Sequence, residues 1–327
     1  MMIRINFSVL YIILLLHTFN VNAQENKEDF TLFDKGNALY SLVYHDINFD
    51  NAIDMLDSTN YENQIEIKLL KKQKEEILEI ALEYFENLIH EYPESDLIYR
   101  AQNNAAIILH QLDYIDLAIE YYLNIINGNA NDQEPNGGEG MMAEPYALYK
   151  NRACKSLAEI YLNRKNYKEA LKYINLTKKY PYQHFCGNEH VANSIYIATL
   201  YTKSHYGLND IEKALSFALP NVLNYPITSN TYLLNYALTI LKSNYSKEQL
   251  SLELKKSLKN IKLKKEKSNE ITFTTFLGIE LEISYFSFDS NFSDNLEKYF
   301  ELSEIEKGTY HYKNSEFYIE LFKYCSN

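Results

Sequence analysis

Four residues with ligand or catalytic chemistry fall within seven positions, His184, Cys186, Glu189 and His190, in the run Y-Q-H-F-C-G-N-E-H from Tyr182 to His190. Imidazole, thiolate and carboxylate are the groups zinc takes, and a site needs three or four of them converging. Against that use, Gly187-Asn188 reads as an ordinary turn and Glu189 as an ordinary acid in the first turn of the next helix. A Cys186/His190 catalytic pair lacks a third group to orient the imidazole. These four residues stand as weak metal candidates. Elsewhere there is no glycine loop to cradle phosphate, no zinc-protease helix and no G-x-S-x-G elbow. The isolated histidines His45, His90, His110, His205 and His311 lie near helix ends or turns, where they are solvated or face a helix C-terminus. The expectation is a protein without enzymatic activity, without a cofactor and without a metal.

The segment just before that cluster sets the architecture. Asn151 to Pro181 is two short amphipathic helices with a polar turn between them, closing on proline. Leu157, Ala158 and Tyr161 share one face of the first helix, and Ala170 and Ile174 one face of the second. The two alanines let the helices approach closely. Similar pairs are predicted at Phe30–Leu56, Asp96–Ile126, Val191–Leu219 and Thr231–Ile261, and a long helix runs from Tyr61 to Tyr92, where Pro93 stops it. Ile271 to Phe288 is rich in aromatic and β-branched residues, Ile271 to Phe276 especially, a composition that also suits a strand. Phe276, Ile279, Ile283 and Phe286 at three- and four-residue steps predict a helix there, within a C-terminal capping region of about 270–327.

Two stretches break the pattern. Asn127 to Pro145 gathers Gly128, Gly137, Gly138 and Gly140 with Pro135 and Pro145, and ends near the apolar pair Met141-Met142. It predicts a long loop, functional or disordered. Lys255, Lys256, Lys259, Lys262, Lys264, Lys265 and Lys267 form one basic region, read as a solvated face.

At 327 residues the chain exceeds the usual ceiling for a single compact core. Stacked helix pairs, each too small to bury its own apolar stripe, avoid that difficulty. The spacing of Ala158, Tyr161, Ala170 and Pro181 resembles the tetratricopeptide repeat family. Asp96–Ile126 follows it with Ala106, Leu109, Ala118 and Tyr122, and Ile211–Pro226 with Ala214, Ala218 and Pro226. Ala81 through E-Y-P-E-S to Tyr122 looks like the subgroup in exported envelope proteins, without its lipid-bearing cysteine. The resemblance implies an all-α, right-handed superhelical solenoid of antiparallel helix pairs that binds a protein or peptide partner in a concave groove. The first-helix faces of Asp96–His110, Asn151–Leu162 and Val191–Tyr206 would supply that groove, and Asn127–Pro145 a lid. The polar groove candidates are Asn103, Asn104, Lys155, Asn163, Asn193 and Lys203. An alternative role is capture of a glycan or peptide nutrient by groove tyrosines, and a third is a metal-dependent hydrolase at His184–His190. The chain has 30 tyrosines and no tryptophan, and most of the tyrosines read as helix-packing filler.

Met1 to Ala23 carries Arg4, the apolar run Val9–Leu16 and a small residue before Gln24, the pattern of a secretory signal cleaved after about Ala23. Its apolar core is shorter than the roughly 20 residues a membrane span needs. The expectation is a periplasmic or secreted product with no stable membrane insertion. Lys+Arg number 32 and Asp+Glu 44, a net charge of -12 that becomes -13 without Arg4. That balance argues against nucleic acid as a partner. Three cysteines cannot make a disulfide framework, and Cys154 with Cys186 is the plausible couple if any pair forms.

Overall fold

A computed structural model describes residues 28–136, 144–223, 231–266, 269–283, 299 and 301–326. The expected signal segment 1–23, the Met141-Met142 pair, Pro226, Phe286 and Lys267 lie outside the described residues. No helix among those described is long and apolar enough to cross a membrane. The chain is mostly helical. Its contacts divide it into two compact units, Met1–Asn131 and Asp132–Asn327, where the sequence suggested one repeat domain. The boundary falls inside the Gly/Asn-rich loop.

In the first unit α1 (Glu28–Ser41) runs into a π-helical turn, Leu42–Asp46, and is followed by α2 (Phe49–Asp54), α3 (Tyr61–Glu91), α4 (Ile98–Gln111) and α5 (Ile115–Asn127). The predicted long helix is continuous as α3, 31 residues. It packs on α1 where Gly36 meets the Phe85 ring; a Cβ at Gly36 would lie 2.9 Å from that ring. Ala106 of α4 and Ala118 of α5 are fully buried, and the two helices pack on each other.

The second unit begins with α6 (Tyr149–Asn163), α7 (Tyr167–Leu176), α8 (Gly187–Gly207), α9 (Ile211–Ala218), a 3-10 turn at Leu219–Asn221, α10 (Thr231–Asn244) and α11 (Lys247–Lys259). Ala158, Ala170 and Ala214 are fully buried, as close helix approach requires. Tyr161 stacks on Tyr173 with ring centroids 5.5 Å apart. Gly207 touches the Tyr167 ring so closely that a Cβ there would lie 2.3 Å away, which fits α8 against the start of α7.

One turn recurs in three hairpins. Asp113 (φ 63°), Lys165 (φ 57°) and Asn209 (φ 60°) are left-handed residues just past the first helix. The next N–H bonds back five residues: Tyr114 to Leu109 O at 2.9 Å, Asn166 to Tyr161 O at 2.8 Å, and Asp210 to His205 O at 2.9 Å. This is the Schellman arrangement, which satisfies carbonyls orphaned at a helix end. Asn166 and Asp210 then cap the following helix, accepting from Glu169 N–H at 3.4 Å and Lys213 N–H at 3.2 Å. Each residue therefore closes one helix and opens the next.

The predicted helix over Ile271–Phe288 is corrected. From Lys262 to Ile283 the described chain forms a three-stranded antiparallel sheet of β1 (Lys262–Glu266), β2 (Asn269–Phe276) and β3 (Ile279–Glu282), so among the described residues the all-α expectation fails at 262–282, and 284–288 lie outside the described residues. Thr272, Thr274 and Phe276 are buried at every second position, as are Leu281 and Ile283. That alternation is the strand period. Leu277 (φ 50°) and Gly278 (φ 77°) supply the two left-handed residues of a tight hairpin turn between Phe276 and Ile279, which pair. Finally α12 (Glu304–Asn314) and α13 (Glu316–Ser326) pack on α11. The core of this end joins Leu234, Leu241, Leu254, Phe276, Tyr312 and Phe317. Tyr312 OH and Ser257 Oγ are hydrogen-bonded at 2.8 Å inside it.

The basic region divides between α11 and β1. Lys256 pairs with Glu253 at 2.6 Å, Lys264 with Glu280 at 3.4 Å and Lys265 with Glu270 at 3.7 Å.

Candidate binding surface

In the second unit α6 presents Lys155 to the N-terminal half of α8. Its ammonium donates to Asn193 Oδ1 at 3.2 Å. It also lies over two aromatic rings, 5.0 Å from the Tyr182 centroid and 5.7 Å from that of Tyr196. Cation–ring attraction replaces only part of the hydration an ammonium loses on burial. Burial, and then the Arg152 guanidinium one helical turn earlier, push the Lys155 pKa down to about 8, with Glu159 pulling the other way. Arg152 itself is ion-paired with Glu144.

Further along α8 a pocket of about 340 Å³ opens between α6, α8 and α10. Ile195, Leu200 and Leu233 form its buried apolar floor. Tyr196 and Tyr232 stand around it, the latter 59% exposed, with Glu159 and Lys203 as its charged groups. Helical spacing of three and four residues places Tyr196, Thr199 and Lys203 in one line along α8. The Lys203 ammonium rests over the Tyr232 ring, 4.7 Å from the centroid. Tyr196 thus belongs both to the Lys155 cage and to the pocket wall, and makes one continuous surface of the two.

Of the sequence candidates, Lys155 and Asn193 meet directly and Lys203 lines the adjoining pocket. Asn163 is exposed at the C-terminal end of α6, outside that pocket. Asn103 and Asn104 belong to the first unit; Asn103 is buried on α4 and donates to Asn104 Oδ1 at 3.3 Å. Tyr182, Tyr196, Tyr232 and Glu159 were not singled out by the sequence. Nothing in a tyrosine's neighbours along the chain separates a packing ring from a pocket ring.

Two ring nitrogens of the His184–His190 cluster bond the backbone within it, and His184 Nε2 is buried without a hydrogen-bond partner among the described residues. His184 is buried, and its Nδ1 accepts the Cys186 N–H at 2.9 Å. His190 Nε2 bonds the His184 carbonyl at 2.9 Å. Gly187 and Asn188, expected as a turn, are the first residues of α8, with Cys186 as its N-cap and Glu189 in its first turn. Among the described residues no three of His, Cys, Asp and Glu gather where they could hold a metal ion. Cys154 is fully buried and, like Cys186 and Cys325, a free thiol; burial pushes its pKa up to about 12. What the cluster does is position Tyr182, whose ring stacks on His184 at 6.2 Å and meets His190 edge-on at 5.7 Å.

From Asp132 on, the described part of the Gly/Asn-rich loop is fastened to the same unit. Asp132 accepts the backbone N–H groups of Lys150 at 2.6 Å and Asn151 at 3.2 Å, capping α6. Pro135 and Tyr146 form an isolated antiparallel bridge, and Asn136 N–H bonds Pro145 O at 3.2 Å. The Tyr146 ring packs edge-on to Phe185 at 6.1 Å.

A larger pocket of about 550 Å³ lies at the hairpin turn, with Glu212, Ser216, Tyr245 and Glu253 among its residues. Glu253 is already engaged there by Lys256 and by the Leu277 N–H. No protein-family model, curated protein or solved structure matches the chain.

Proposed function

We propose that this chain is an exported, non-enzymatic scaffold of tetratricopeptide type that holds a segment of another protein on the α6–α8–α10 face. The observation that carries the reading is the convergence of Lys155, Asn193, Tyr196, Lys203 and Tyr232 on one face with an apolar floor. Aromatic rings with a polar edge and charged tips are what peptide-binding surfaces use, because they offer contact area at low entropic cost. Repeated Schellman turns and fully buried alanines at the helix crossings support a stack of similar helical hairpins. Export rests on the pattern of residues 1–23.

Pull-down from envelope extract tests this reading. A Tyr196→Ala/Lys203→Ala variant that melts like the parent should lose a defined partner that the parent retains. Recovery of the same proteins by both would refute it. Export is tested by fractionation and N-terminal sequencing, with Gln24 as the expected first residue.

A second reading is capture of a glycan, favoured by the exposed Tyr232 ring beside Tyr196. It predicts a thermal shift with at least one member of a sugar panel, abolished by Tyr232→Ala. A flat response across the panel removes it.

A further inference from the structure

Lysines in this chain have an excess of acids to pair with, 44 Asp+Glu against 32 Lys+Arg. Lys74, Lys172, Lys256 and Lys307 each take a carboxylate within 2.9 Å. Lys155 and Lys203 do not, and among the described residues Lys35, Lys178 and Lys242 likewise rest on tyrosine rings without an ion pair; Lys155 and Lys203 differ in bordering one pocketed surface. Among the described residues neither has a carboxylate at ion-pair distance; their ammonium groups lie on tyrosine rings, and Lys155 adds a neutral carboxamide.

Both lysines are partly withdrawn from water. Drawing an ammonium out of water without an anion is unfavourable, and sequences ordinarily correct it with a nearby Asp or Glu. Asn193, at the place where such an acid would sit, offers a carbonyl oxygen and no charge. Both cations border one surface, through Tyr196 for Lys155 and directly in the pocket for Lys203. The floor beside them is apolar.

We infer that this surface recognises a carboxylate carried next to an apolar side chain on the partner peptide, the apolar group entering the Tyr196–Tyr232 pocket and the carboxylate meeting one of the two cations, Lys203 at the pocket or Lys155 at Asn193 about 15 Å further back along α8. The inference rests on the peptide-binding reading above and adds the chemistry of the ligand. Charge-assisted hydrogen bonds to a carboxylate are roughly twice as strong as neutral ones, so the two lysines supply selectivity as well as affinity. Glu159 sits in the same pocket and repels a second acid on its side, so the recognised segment is acidic at one end rather than throughout. An anion at Lys155 also restores the proton affinity that burial removes.

The test is selection of random linear dodecapeptides displayed on phage against the purified chain without residues 1–23, followed by binding of the enriched sequences as synthetic peptides with free and with amidated C-termini. The inference predicts an enriched motif with Asp or Glu, or a free C-terminus, beside an aromatic or aliphatic residue. Replacing the acid by its amide should weaken binding about tenfold or more, and at least one of Lys155→Met and Lys203→Met should do the same. The free and amidated forms distinguish a terminal from a side-chain carboxylate. Both variants are first shown to be folded by a cooperative thermal melt no lower than the parent's. Enrichment of peptides with no acidic preference, or binding unchanged in both variants, overturns the inference and leaves the peptide-binding reading standing. Failure to enrich any sequence, with sugars carrying a uronate causing the thermal shift instead, overturns both.

Discussion

The Lys155 ammonium donates to Asn193 Oδ1 at 3.2 Å, so the charged tip of an α6 side chain is held by a neutral amide of α8. Two helices are latched together at the point where the surface offers a cation with no carboxylate at ion-pair distance, Glu159 acting on it from one helical turn further along α6. That relationship makes Lys155 a burden on stability as well as a contact for a ligand.

The burden has a pH signature. Lys155 has its pKa pushed down from the ordinary 10.5 to about 8, first by burial and then by Arg152. Between those values the unfolded chain holds the proton that the folded chain has released, so the unfolded state binds more protons and stability rises with pH across this window. Below about pH 8 the whole penalty is present, on the order of 1–3 kcal/mol. Lys155→Met should therefore be the more stable protein at pH 7, with the difference from the parent shrinking towards pH 10. Urea unfolding of both proteins at half-unit pH steps reads it directly.

Gly207 is required by close approach rather than by backbone conformation. A methyl group there would sit 2.3 Å from the Tyr167 ring. Gly207→Ala should lower unfolding free energy by about 1–3 kcal/mol, the usual cost of overpacking. Combining it with Tyr167→Leu should recover part of that loss in the same urea titration.

Lys165 illustrates the opposite case. Its φ of 57° places a side chain in a conformation that costs L-residues roughly 1–2 kcal/mol. Lys165→Gly should raise stability by about 0.5–1 kcal/mol after allowing for the extra freedom of glycine in the unfolded chain. Lys165→Val should lower it, and differential scanning calorimetry would separate the three proteins.

The β2–β3 turn gives a second backbone test. Gly278 has φ of 77° and open space around its Cβ position, so Gly278→Ala meets no steric obstacle beyond its own backbone. A loss of about 1 kcal/mol is expected, from the left-handed conformation alone. A much larger loss would mean that the turn is held by contacts other than those described.

The helical part of this fold was legible because its determinants are local and repeated. Ala158 and Ala170 are fully buried at the spacing their hairpin needs, and the same holds for Ala106 and Ala118. The sheet was misread because Phe276, Ile279 and Ile283 fit a helical step as well as they fit two strands. The alternation of Thr272, Thr274 and Phe276 and the Leu277-Gly278 turn carried the other message, and helical context outweighed it. At the candidate surface, Lys155, Asn193 and Lys203 could be picked out as polar residues on helix faces. Their aromatic partners could not, since Tyr173 in the core and Tyr232 at the pocket are the same residue type placed by long-range packing. Asn103 and Asn163 show the limit of that approach: one is buried on α4 and the other is exposed at the end of α6, and neither lines the pocket.

Photo-crosslinking in cells shows whether a partner segment lies on the Tyr196 surface. Tyr196→benzoylphenylalanine places the reactive group on the wall shared by the Lys155 cage and the pocket, and Leu252→benzoylphenylalanine, on an exposed site of α11, serves as the control. One recurrent crosslinked peptide is expected at Tyr196, absent at Leu252 and lost when Lys155→Met and Lys203→Met are added. Equal crosslinking at both positions, or none at Tyr196 in an otherwise folded protein, would contradict peptide binding on this surface.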